Sequence, residues 1–68
     1  MERDELEEDR AVFIAGEIGG AVVSLVANGI VISRDAIVDS LEAKRRTVGN
    51  VIHKSVLRDA AAMVRKGQ

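Results

Sequence analysis

His53 is the sole histidine of this chain, and Ser55 stands two residues after it. A nucleophile pair needs the hydroxyl within hydrogen-bond reach of the imidazole. Residues two apart on a helix do not face each other, so this pair reads as a partly exposed packing residue and an unrelated serine. There are no cysteines, and one histidine cannot make a zinc site by itself. No metal or other cofactor is expected. Gly16-Glu17-Ile18-Gly19-Gly20 is rich in glycine, but it follows no strand pattern and no Gly-Lys-Ser/Thr occurs, so it is not a phosphate loop. With no catalytic constellation in view, the chain reads as a non-enzyme.

The remaining chemistry is charge. Formal net charge is only −1, yet residues 1 to 20 carry −5, residues 21 to 43 carry −2 and residues 44 to 68 carry +6. Lys44, Arg45, Arg46, Lys54 and Arg58 form the candidate surface for a protein partner or for DNA, since clustered cations meet acidic side chains or phosphates. The sequence pI of about 5.7 argues against strong affinity for nucleic acid. No Trp or Tyr offers a stacking platform for single strands. The bland alternative is a solvated helical face matched to the acidic N-terminal arm.

These cations must be positioned by helices, because the chain has no proline and its apolar residues recur at helical spacing. The expected fold is all-α, one domain over 1–68, with helices at about 5–28, 34–46 and 51–66. A charged arm, 1–10, leads in and is expected to fray. It holds only Leu6 to bury, and it could fold back on the basic third. The first helix should stop at Asn28-Gly29, residues that take the left-handed conformation. Ile30-Val31-Ile32 could pair with a copy of itself or tuck into the core. Ser33 reads as the cap of the second helix, with Asp35 in its first turn and Lys44 to Arg46 in its last. Its inner side is Ile37, Leu41 and Val48 with Val38 beside them, while Asp39 and Glu42 face out. Thr47 or Asn50 caps the third helix, whose buried line is Ile52, Val56, Ala60 and Met63, flanked by Val64. Lys54, Arg58 and Arg65 take its outer face, and Gly67 closes it.

Everything is arranged around Ala11 to Ile32, which carries a single charge, Glu17. Ile14, Ile18, Ala21, Val22 and Leu25 share one side of a helix. Gly16, Gly20 and Ser24, each four apart, make a small-residue line where another helix backbone could come close. A glycine inside a helix costs about 1 kcal/mol relative to alanine, so three of them suggest close packing. A chain this short, without disulfide or metal, needs oligomerisation to bury enough surface. The expectation is a homodimer whose interface is Gly16, Gly20 and Ser24. A membrane-associated segment at 11–32 is the alternative. Against it stand Glu17 near the middle and the missing aromatic anchors. The acidic start lacks the basic region of a signal peptide, which points to the cytoplasm.

From Arg10 to Val64 the order of pieces resembles the small enterobacterial biofilm and acid-resistance regulators of the AriR type and the related biofilm-dependent modulation proteins. An apolar helix ends at Asn28-Gly29, a short link reaches Ser33, Ile37 and Leu41 follow at helical spacing, and a last helix runs from Ile52 to Val64. The resemblance implies an all-helical homodimer that regulates a stress or biofilm response through DNA or a protein partner. No binding residue carries over from it, and the glycines at 16, 19 and 20 and the basic triplet at 44 to 46 depart from the family pattern. A purely structural dimerisation module is the other reading.

Overall fold

The computed structural model describes the backbone of residues 2–67 and the side chains from Asp9 to Gly67. The side chains of the acidic arm before Asp9, Leu6 among them, lie outside the described residues. The arm's backbone from Glu2 is the start of the first helix, while contacts of its side chains before Asp9 with the basic third lie outside the described residues. Three helices follow one another: α1 (Glu2–Ala27), α2 (Arg34–Thr47) and α3 (Val51–Lys66). No strand occurs among the described residues. The all-α expectation therefore holds, with α1 starting three residues early.

Each boundary has a local cause. At the end of α1, Gly29 takes φ 68°. Its N–H donates to the Val26 carbonyl at 3.1 Å, and the Ile30 N–H donates to the Leu25 carbonyl at 2.9 Å. These two bonds are the Schellman closure, which satisfies carbonyls that the helix leaves open. Ile30, Val31 and Ile32 then run exposed to solvent, so they do not tuck into the core. Ser33 caps α2, its hydroxyl accepting from the Ala36 N–H at 3.1 Å. Asn50 caps α3 in the same way, accepting from the His53 N–H at 3.0 Å. Thr47 closes α2 instead, its hydroxyl donating to the Lys44 carbonyl at 2.8 Å. Gly67 ends α3 with φ 62°. Arg34 reaches across from α2 and donates to the Gly67 carbonyl at 3.3 Å. A Cβ at Gly67 would overlap that guanidinium.

The three helices pack against one another in every pairing. Their shared core is Ile14, Ala21 and Leu25 from α1, Val38 and Leu41 from α2, and Val56, Leu57, Ala60 and Ala61 from α3. Ile18, Ile37, Val48 and Val64 pack around it, half-buried.

Two expectations about faces are corrected. On α3, Ile52 is 73% exposed and Met63 55% exposed, whereas Leu57 and Ala61 are fully buried. The cause is that α3 lies against both α1 and α2, so it buries two adjacent stripes, 56/60 and 57/61, not one. Alanine at 60 and 61 lets the neighbouring helices approach, and Ile52, in the first turn, hangs outside. On α2, Glu42 does not face out. It accepts from Arg65 Nη2 of α3 at 3.1 Å and pairs with Arg45 at 2.8 Å.

A helix of 26 residues is about 39 Å long, close to the full 42 Å extent of the molecule. Shorter α2 and α3 cannot wrap it, and they cover a single side. On the other side Val12 (67% exposed), Phe13 (63%), Val23 (67%) and Val26 (62%) stand in solvent. The neighbours inside one chain therefore bury only part of the organising helix. Nor do they explain its glycines. An added Cβ at Gly16, Gly19 or Gly20 meets nothing within 4 Å, so close packing inside the chain is not what these residues serve.

Candidate functional site

Glu17 sits on α1 beside the buried stripe, half-buried, with α2 and α3 on either hand. Lys44 Nζ, from the last turn of α2, donates to its Oε1 at 2.6 Å and its Oε2 at 3.1 Å. His53 Nε2, from the first turn of α3, lies 3.3 Å from both oxygens. An ionised carboxylate only accepts, so the histidine carries its proton on Nε2. One side chain thus ties all three helices. Burial works to raise the Glu17 pKa, but the hydrogen bonds from Lys44 and His53, with their charges, outweigh it and hold the carboxyl below its ordinary value.

Two grooves open on either side of this clasp. Between α1 and α3, Val12, Phe13, Gly16, Ile52, His53 and Val56 line an apolar groove of about 670 Å³. Between α1 and α2, a more polar groove of about 510 Å³ runs along Gly20, Ser24, Ser40, Leu41 and Lys44. Phe13, Gly16, Gly20 and Ser24 follow one another at steps of three and four, so Phe13 extends the small-residue line. The line borders both grooves and is exposed along its length. Gly16, Gly20 and Ser24 are thus accessible for a neighbour, and an added Cβ at Gly16 or Gly20 meets nothing of its own chain within 4 Å.

The cations are spread and largely engaged at home. Lys44 pairs with Glu17, Arg45 and Arg65 with Glu42, and Arg58 with its neighbour Asp59. Arg10 of α1 pairs with Asp59 and donates to the Ser55 hydroxyl at 3.3 Å. The hydrogen bond from Arg10 to Asp59, helped by Arg58, holds the Asp59 pKa below its ordinary value against the opposing effect of burial. Arg46 and Lys54 have no ion pair among the described residues. Of the five cations singled out in the sequence, three therefore have carboxylate partners. Ser55 faces Arg10, not His53. Among the described residues no three His, Asp or Glu side chains gather as metal ligands.

Sequence reasoning missed the clasp. Glu17 lies 27 residues from Lys44 and 36 from His53, so no local pattern joins them. The available signal was a lone acid in an apolar helix: a carboxylate carried into a core needs a partner. Comparison with family models, curated proteins and solved structures returns no match.

Proposed function

We propose that this chain is a small non-catalytic regulatory protein that acts as a homodimer joined through α1 and meets a protein partner or DNA through Lys44, Arg45, Arg46, Lys54 and Arg58. The observation that carries the reading is the uncovered apolar side of α1. Soluble monomers rarely leave a contiguous apolar patch of several hundred Å² in water, and such a patch marks an interaction surface. Gly16, Gly20 and Ser24 supply a close-approach line on it, as they would for another helix.

The ion pairs bear on the partner. A cation already held by a carboxylate of its own chain has less to offer a phosphate. Arg45, Arg58 and Lys44 are so held, and the same holds for an acidic protein surface, so Arg46 and Lys54 are the cations of this set with most to offer either partner. Regulation of a biofilm or stress response belongs to this reading through the AriR-type resemblance, and a cytoplasmic site of action through the acidic start, which is unlike a signal peptide. Sedimentation equilibrium tests the dimer: a mass of twice the chain, shifting toward one chain on dilution, is expected.

Membrane association is the second reading, and one observation favours it. The segment Asp9–Ala27 is long and apolar enough to cross a bilayer, and little of it is buried in the fold. Glu17 is a weaker objection than the sequence implied, since it turns toward α2 and α3 and away from the exposed face. Two features favour the second copy. From Ala11 to Ala27, α1 has no Lys or Arg, the residues that border helices lying on anionic lipid. Ala15 and Gly16 lie one turn from Val12, and Gly19 and Gly20 one turn from Val23, which suits a helix backbone better than acyl chains.

A further inference from the structure

The geometry points to a seat for the second copy: Phe13 of each protomer enters the groove between α1 and α3 of its partner, against Gly16 and Ile52. The inference rests on the homodimer reading and adds its geometry. Phe13 is the only aromatic residue of the chain and stands largely in solvent at the rim of an apolar groove. Gly16 leaves the groove open, since even a Cβ there would touch nothing within 4 Å. Ile52, exposed on the opposite wall, gains a cover in the same step. The polar member of the wall does not object. Glu17 keeps its bonds to Lys44 and His53, so a ring can enter without leaving a bare charge behind.

The area suffices. Val12, Phe13, Val23, Val26 and Ile52 each expose on the order of 100 Å², so a two-fold pair that covers them on both chains removes about 1,000 Å², the lower bound for a specific interface. A two-fold interface is reciprocal: if Phe13 meets Ile52 of the partner, the partner's Phe13 meets Ile52. The occupant is thus the same surface that offers the groove, and the groove needs no other protein to fill it.

The chain has no cysteine, which permits a clean test. Phe13→Cys and Ile52→Cys are prepared as separate full-length variants, mixed, and oxidised. A mixed disulfide, formed in preference to either variant with itself, is expected. In parallel, Phe13→Ala is expected to raise the dimer dissociation constant by about 100-fold or more, because two rings are lost per dimer. Its helical circular dichroism should persist, since the ring is outside the protomer core. A wild-type dimer with no mixed disulfide and an unchanged constant for Phe13→Ala would overturn the seat and leave the homodimer standing. A single-chain mass at every concentration would overturn both. Binding of the wild type to phosphatidylcholine vesicles, lost in Phe13→Ala and without a dimer in solution, would overturn the seat in favour of lipid.

Discussion

Lys44 Nζ lies 2.6 Å from Glu17 Oε1, joining the end of α2 to the middle of α1. With His53 on the other side, this carboxylate is, among the described residues, the side chain that joins all three helices by polar contacts.

The clasp makes stability depend on pH. The Glu17 pKa is lowered on folding, from an unfolded value of 4.5. A depressed carboxyl stabilises the fold fully above its unfolded pKa, and the stabilisation is lost as pH falls through the folded one. Asp59 acts in the same sense from 3.8. The melting temperature should therefore be steady above about pH 5 and fall below it. Glu17→Gln should flatten part of that fall and cost about 1 kcal/mol at pH 7, because Lys44 is half exposed to water. A slope identical to that of the wild type would mean that Glu17 plays no part in it.

Core substitutions separate the true buried face of α3 from the expected one. Leu57→Ala removes a fully buried side chain and should cost about 2–5 kcal/mol, enough to unfold a domain this small. Met63→Ala, at an exposed position, should cost about 0.5 kcal/mol or less in the protomer. Denaturant titration of both variants checks the order. Equal losses would contradict the packing described here.

Gly20→Leu distinguishes an interface from a merely exposed helix. Nothing within 4 Å obstructs a Cβ at Gly20 inside the chain, so the protomer alone should gain about 0.8 kcal/mol from helix propensity. If partners meet at Gly20, overpacking instead costs about 1–3 kcal/mol per contact. A lower melting temperature that no longer rises with protein concentration is expected. A control on α2 must stand clear of the groove that Gly20 lines, which Ser40, half-buried in that groove, does not. Asp39→Leu, on the exposed side of α2, serves better.

Any DNA binding should be weak and should fall steeply with salt, as bound counterions are released. The informative variant is Arg46→Ala with Lys54→Ala, because Lys44→Ala would also break the Glu17 clasp. Loss of binding with unchanged helical circular dichroism is expected from a titration at two salt concentrations. Tight binding that ignores salt would point to base-specific contacts and away from this surface.

Helix type and helix ends were legible in the residues themselves. Ser33, Asn50, Gly29 and Gly67 act on backbone groups within a turn of their own positions, so their effect needs no tertiary partner. The buried stripe of α1 was legible for a similar reason: Ile14, Ala21 and Leu25 share a face by periodicity alone. What periodicity cannot supply is how many neighbours a helix has. Only the tertiary structure decided that α3 buries two stripes and exposes Ile52 and Met63, and that α2 and α3 cover a single side of α1. It also brought Glu42 to Arg65, and Glu17 to Lys44 and His53. Those pairings are set by where helices cross, and a crossing depends on side chains from separate segments meeting at once. An amphipathic pattern names the face that seeks cover, and the arrangement of the other helices determines which part of it is covered within one chain.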